Sequence, residues 1–198
     1  FRENNMWLVE TNKGSVRAKS VVLGTNAYTD TLWPGLKKIF TVIHYFQLAT
    51  KPLDEEAAYI LPNRQGLWDT GPIMFNIRRD QFDRLLIGSM GKAIGSKDSG
   101  LSARFAKKQI AKIFPKLSEV SFEEAWHGQI AMTPDHLPKI FQLADGLFTP
   151  IGYNGRGITT GTIFGKAVVE LLTGVPSDTL PLPISNTLTP ARGSAMMS

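Results

Sequence analysis

Four consecutive residues, Asn154–Gly155–Arg156–Gly157, stand out by type and spacing as a place where chemistry could be done. They lie between a short apolar run, Leu147–Tyr153, and an amphipathic segment, Ile158–Leu172. That order predicts a strand, a tight turn and a helix. A helix entered in this way aims its unpaired N–H groups and the positive end of its dipole at one spot, which suits an anionic or electron-rich ligand. The glycines let the backbone turn sharply and come close to that ligand. Gly155, Gly157 and Gly161 give G-x-G-x-x-x-G, one residue longer than the dinucleotide fingerprint, and no phosphate-binding G-x-x-x-x-G-K-[ST] is present. Two readings therefore stand: a ligand cradle, or a helix that simply starts after a glycine turn.

Other candidate groups are fewer. Val21–Gly24 is an apolar run that reads as a strand buried on both faces. It ends at Thr25–Asn26–Ala27–Tyr28, small and polar residues at a strand's carboxyl end, where open α/β sheets place ligand contacts; a plain exit loop fits equally. Ile39–Thr50 carries His44, Tyr45 and Gln47 in a β-rich stretch, and Phe122–Ile130 carries His127. These four are candidate active-site liners, although a lone histidine is more often a satisfied structural group. The sequence has no Cys and three His with no H-x-x-x-H pair, so disulfides, thiolate chemistry and a zinc site are not expected.

The elements that must position these residues follow from pattern. Met6–Thr11 and Ser15–Ala18 flank a turn at Asn12–Lys13–Gly14 and read as strands of a meander. After the breaker Trp33–Pro34–Gly35 come Ile39–Thr50, Leu67–Asp69, Ile73–Arg78 and Arg84–Met90, an antiparallel block. Ser102 is positioned to cap a helix from Ala103 to Phe114, with Ala103, Ala106, Ile110, Ile113 and Phe114 on its apolar face. Thr133–Pro138 is a rigid turn. Beyond Gly174 the proline-spaced stretch to Pro183 is extended, and 186–198 has the composition of a loose tail. The two ends of the chain are expected to share one sheet, with the middle as an insertion.

With 198 residues and a net charge of +5 spread over scattered Lys and Arg, the chain has the composition of ordinary globular protein. It shows neither a long apolar span nor a signal peptide, and a cytoplasmic protein with no membrane partner is the expectation.

Ala18–Tyr28, Ala125–Pro138 and Gly152–Gly165 together resemble the C-terminal half of the FAD-dependent amine and amino-acid oxidases, the family of D-amino-acid oxidase, glycine oxidase and sarcosine oxidase. Among its members the wording is most similar to bacterial gamma-glutamylputrescine oxidases. The resemblance implies a mixed α+β and α/β architecture, with part of an FAD-binding domain at 1–33 and again at 121–185. Between them, 34–120 would form a substrate domain on a mainly antiparallel mixed sheet. It implies FAD beside Gly24, Thr25 and Asn26 and beside Gly155, Arg156, Gly157, Ile158 and Thr159, the helix supporting the charge that reduction leaves on the flavin ring.

Departures from the family matter too. The pyrophosphate-binding glycine motif and the ribose-binding acid are missing, so the chain resembles only the distal half and is expected to hold FAD poorly by itself. The arginine that clamps a substrate carboxylate in glycine oxidase and D-amino-acid oxidase would fall near Ile130, where there is none. An amine without an adjacent carboxylate is therefore the expected substrate. A cysteinyl flavin link is excluded by composition. The implied reaction is C–N oxidation by hydride transfer to FAD, with imine hydrolysis and reoxidation by oxygen. The competing classes are a non-catalytic binding module on the same fold and a basic nucleic-acid-binding domain, the latter disfavoured by the scattered charge.

Overall fold

A computed structural model describes residues 1–71 and 73–191. Its strands, in chain order, are β1 (Arg2–Glu3), β2 (Met6–Thr11), β3 (Gly14–Ala18), β4 (Val21–Val22), β5 (Thr41–Pro52), β6 (Leu67–Trp68), β7 (Phe75–Arg79) and β8 (Arg84–Met90). Helix α1 (Leu101–Ile113) follows, then β9 (Phe122–Met132), β10 (Lys139–Ala144), β11 (Leu147–Ile151), helix α2 (Gly157–Leu172) and β12 (Ile184–Ser185). The architecture is mixed α/β, mainly antiparallel. The chain divides into two compact units, one formed by Phe1–Val42 with the chain from Ile130 onward, the other by Ile43–Gln129. The changeovers fall inside β5 and β9, whereas the family resemblance implies boundaries at Pro34 and Val120. A long strand carries no breaker at the point where it changes surroundings.

The first unit holds the meander β1–β2–β3 and a four-stranded sheet in the order β12–β10–β11–β4. The strand β10 was not foreseen; it forms a hairpin with β11 across Asp145–Gly146, pairing Lys139 with Ile151 and Phe141 with Thr149. Gly146 has φ +71, and a Cβ there would stand 2.9 Å from the Lys19 carbonyl oxygen, so the turn requires glycine. Strands β11 and β4 are parallel, Leu147 opposite Val21 and Phe148 opposite Val22. The expected doubly buried strand at Val21–Gly24 is corrected. Only Val21–Val22 is strand, it pairs on one side alone among the described residues, and Val22 is 43% exposed. An edge strand shows one flank to solvent however apolar it is. Two clusters fill this unit: Leu36, Ile39, Phe40, Ala131, Phe141 and Ile151 in one, and Ile140, Phe148, Phe164, Ala167 and Val168 under α2 in the other.

The expected loose tail is also corrected as far as the description runs. Leu188 packs on the Leu36 cluster, and the buried Ala191 donates its N–H to the Lys38 carbonyl at 2.8 Å. Polar composition hid these two anchors; residues 192–198 lie outside the described residues.

The second unit is a five-stranded sheet, β6–β7–β8–β5–β9, with α1 packed on one face. Alternation decides which side chains meet the helix. Phe46, Leu48, Phe75, Ile77, Leu85 and Ile87 face Ala103, Ala106 and Ile110. Ser102 is not the cap of α1. Gly100 holds that position, and the buried Ser102 hydroxyl donates to the Lys92 carbonyl and accepts from the Ile94 N–H, tying the preceding loop to the helix.

Candidate functional site

The glycine turn is built from its neighbours inward. Because β4 and β11 are parallel, their carboxyl ends emerge side by side. The Thr149 hydroxyl donates to the Leu23 carbonyl at 2.9 Å, and the Gly152 N–H donates to Asn26 Oδ1 at 3.0 Å. Asn26, of the expected cofactor stretch 24–26, is thus joined to Gly152, three residues before the stretch 155–159. Thr25 and Thr29 hydroxyls bond to each other across the short 3₁₀ turn Asn26–Tyr28, and Asn26 sits at φ +45. Asn tolerates that left-handed conformation better than most residues.

Gly152, Asn154 and Gly155 have φ of +78°, +52° and +83°. At Gly152 a side chain would also overlap the Thr133 methyl group, so no other residue fits there. Asn154 locks the turn to the Thr133–Pro138 loop. Its Oδ1 accepts from the Thr133 N–H at 2.8 Å, while its Nδ2 donates to the Gly152 carbonyl at 2.5 Å and to Thr133 Oγ1 at 3.1 Å. The Asn154 N–H donates to the Ala131 carbonyl at 3.2 Å. A Cβ on Gly155 would touch only Ile130 Cδ1, at 3.7 Å, so the Ile130 position does lie beside the turn and presents an apolar side chain to it.

Helix α2 begins at Gly157 with no side-chain cap and no acidic residue in its first turn. Arg156, Gly157, Ile158 and Thr159 are exposed, Ile158 to 92%, and Arg156 makes no ion pair among the described residues. A bare helix start of this kind leaves donors and a positive dipole end unanswered by protein. The other glycines of the pattern have a packing role, since Cβ atoms on Gly157 and Gly161 would lie 3.4 and 3.8 Å from the Tyr153 ring.

The four candidate liners fall into two pairs. His44 and His127 have ring centroids 5.7 Å apart. His44 lies on the α1 side of the sheet by alternation with Phe46, and desolvation, then Lys92 and His127, hold its pKa below the usual imidazole range. Tyr45 and Gln47 point to the opposite face, so the four do not form one cluster.

There the structure adds two residues that sequence reading passed over, Asn76 and Gly88. Gly88 is opposite Gln47 on one side and Asn76 on the other. A Cβ at Gly88 would overlap the Gln47 amide and stand 2.9 Å from Tyr45 Cε1, so the missing side chain is what lets these groups lie across the sheet. Asn76 Nδ2 donates to the Tyr45 hydroxyl at 3.0 Å. Burial pushes the Tyr45 pKa up. A glycine inside the apolar run Leu85–Met90 was the signal available for this arrangement.

Among the described residues no group of three or more His, Cys, Asp or Glu could hold a metal ion, and no helix is long and apolar enough to cross a membrane.

A sheet end joined to an uncapped helix by a glycine turn, with an antiparallel unit inserted, defines a class. Residues 1–171 match the FAD dependent oxidoreductase family model DAO, and the chain belongs to that family. It is 30% identical over 169 residues to gamma-glutamylputrescine oxidoreductase of Escherichia coli, a match covering 84% of this chain and 39% of that protein. Its fold is that of glycine oxidase from Geobacillus kaustophilus (TM-score 0.70, 18% identity, 94% of this chain and 50% of that one) and from Bacillus cereus (TM-score 0.67, 19% identity, 88% and 48%). The chain therefore spans about two-fifths of the curated relative's length.

The family's cofactor is FAD, and the residues around the glycine turn fit part of it. The uncapped, acid-free start of α2 suits the electron-rich edge of a flavin ring, and at Gly24 a Cβ would meet nothing within 4 Å, which leaves the strand end open to a flat ligand. No residues of a pyrophosphate-binding glycine motif occur in the chain.

Proposed function

We propose that this chain is the distal part of a flavoprotein that oxidises the C–N bond of an amine, gamma-glutamylputrescine or a related polyamine derivative. On this reading 1–33 and 121–185 belong to the FAD-binding domain, and 34–120 to the substrate domain. The observation that carries the proposal is the uncapped amino terminus of α2, set beside the carboxyl end of β4 by the Asn26–Gly152 bond.

Bound FAD would supply the hydride acceptor. The chain's own residues do the rest. Gly24, Thr25 and Asn26 would help to hold the flavin at the carboxyl end of β4. Gly155 and Arg156, with the N–H groups of Gly157, Ile158 and Thr159, offer donors and a dipole to the negative charge that reduction creates. Asn154 keeps those donors aimed by fastening the turn to Thr133. Ile130, beside the turn, offers no charge to a carboxylate, which favours an amine over an amino acid. Tyr45, Gln47, His44 and His127 are the candidate liners, with no side-chain base assigned. Held by this surface alone, FAD would bind weakly, since nothing in the chain matches the motif that grips the pyrophosphate.

The test is to purify the complete protein that contains this chain, record its visible spectrum, and measure peroxide release with gamma-glutamylputrescine, 1,4-diaminobutane and glycine. Flavin absorption with turnover of the amines over glycine is expected. A colourless protein, or a clear preference for glycine, would overturn the proposal. Flavin without any amine turnover would favour the non-catalytic module.

A further inference from the structure

The sheet of the second unit has one face covered by α1 and another of different chemistry. On that other face Tyr45, Gln47 and Asn76 gather over Gly88. Around them stand exposed apolar side chains. Trp68, opposite Asn76, is 68% exposed, and Met90, opposite Tyr45, is 42% exposed.

Within this group, Gln47 Oε1 and Asn76 Oδ1 are both buried, and no donor among the described residues reaches either. Buried acceptors without partners are rare, because each forfeits the hydrogen bonds it had in water. Asn76 Nδ2 donates to the Tyr45 hydroxyl, whose own proton has two carbonyl acceptors at hand, Gly88 at 3.2 Å and Met74 at 3.4 Å. Asn76 Oδ1 is therefore left as an acceptor in need of a donor. Gln47 Oε1 has no hydrogen-bond partner among the described residues, and the amide lies directly over Gly88. Two acceptor oxygens, an indole and a thioether describe a surface for a nitrogen cation.

We propose that Gln47 and Asn76 accept hydrogen bonds from a second, non-reacting ammonium group of the substrate, so that this face selects diamines over monoamines. The inference rests on the amine-oxidase reading and gives it a specificity element. Tyr45 is the positioning residue, since it orients the Asn76 amide.

The experiment is anaerobic calorimetric titration of the complete flavoprotein with its flavin pre-reduced, so that no oxidation interferes, using 1,4-diaminobutane and n-butylamine as probes. The diamine is expected to bind at least about tenfold more tightly, and Asn76→Leu or Gln47→Leu to remove most of that preference. Gly88→Ala should lower it as well, by displacing the Gln47 amide without deleting it. Should the leucine variants fold poorly, Asn76→Asp keeps the size and adds charge; it should tighten diamine binding by about tenfold. Equal binding of the two probes by the unmodified protein, or a ratio unmoved in Asn76→Leu and Asn76→Asp, overturns the inference. Peroxide release is read separately, so loss of diamine preference with amine oxidation intact sinks this inference alone. Diamine selectivity in a protein that oxidises no amine sinks the activity and leaves the site standing.

Discussion

Replacing Asn154 by Gly and by Ala separates the two things that this residue does. In both variants the buried Thr133 N–H loses its 2.8 Å acceptor, and the Gly152 carbonyl loses its side-chain donor. An unsatisfied buried donor costs about 1–3 kcal/mol. The backbone at 154 has φ +52, where a Cβ adds about 1–2 kcal/mol for residues that lack asparagine's tolerance. Glycine escapes that strain but loses about 0.5–1 kcal/mol through its freer unfolded chain. The expected destabilisation is therefore about 1.5–4 kcal/mol for Asn154→Gly and about 2–5 kcal/mol for Asn154→Ala, with the alanine variant worse. Urea unfolding followed by tryptophan fluorescence measures both, since Trp7 and Trp33 belong to the same unit. A glycine variant as stable as the original would mean that the Thr133 clamp contributes nothing. Alanine and glycine variants of equal stability would remove the strain argument.

Two further perturbations read other parts of the molecule. Ile158→Glu places a carboxylate in the first turn of α2, which should stabilise the helix by about 0.3–1 kcal/mol while lowering FAD retention in the complete protein; unchanged retention on gel filtration would argue against a flavin edge at this helix start. Asp80→Asn addresses pH. Burial pushes the Asp80 pKa up, but bonds from the Arg84 side chain and from the Arg84 and Phe82 N–H groups outweigh this and hold it below 3.8. The carboxylate thus adds stability above that pH, and the contribution fades as pH falls through the depressed folded-state value. The variant should be less stable by about 1–3 kcal/mol at neutral pH and show a shallower acid limb in its stability profile; an unaltered limb refutes the assignment.

How much of this was legible depended on whether a residue's partner is near in sequence. The strand–turn–helix at 147–172 announced itself because its signals are local: an apolar run, then glycines, then helical periodicity. The antiparallel block was readable for the same reason, as Phe75–Arg79 carries its own alternation and Arg84–Met90 its own apolar run. Val21–Gly24 misled because an apolar run states a preference for burial, whereas burial is granted by neighbours, and β4 has one among the described residues. Ser102 misled because a capping hydroxyl and one that staples a loop from inside the helix look alike in sequence.

The polar face shows the limit most clearly. Asn76 touches Tyr45 across 31 positions, and no local pattern marks that contact. Gly88 was visible as a glycine in a strand, but its meaning depends on two strands flanking it in register, each delivering an amide above it. The liners His44, Tyr45 and Gln47 look like one motif when read as a string. The two-residue period of the strand splits them, sending His44 toward the helix side and the other two to the open face. Composition therefore marks β5 as rich in polar side chains, and the register of three strands decides which of them lie on one face together. Tests of specificity in this unit should accordingly pair Gln47 with Asn76, residues on different strands, before pairing it with its sequence neighbour His44.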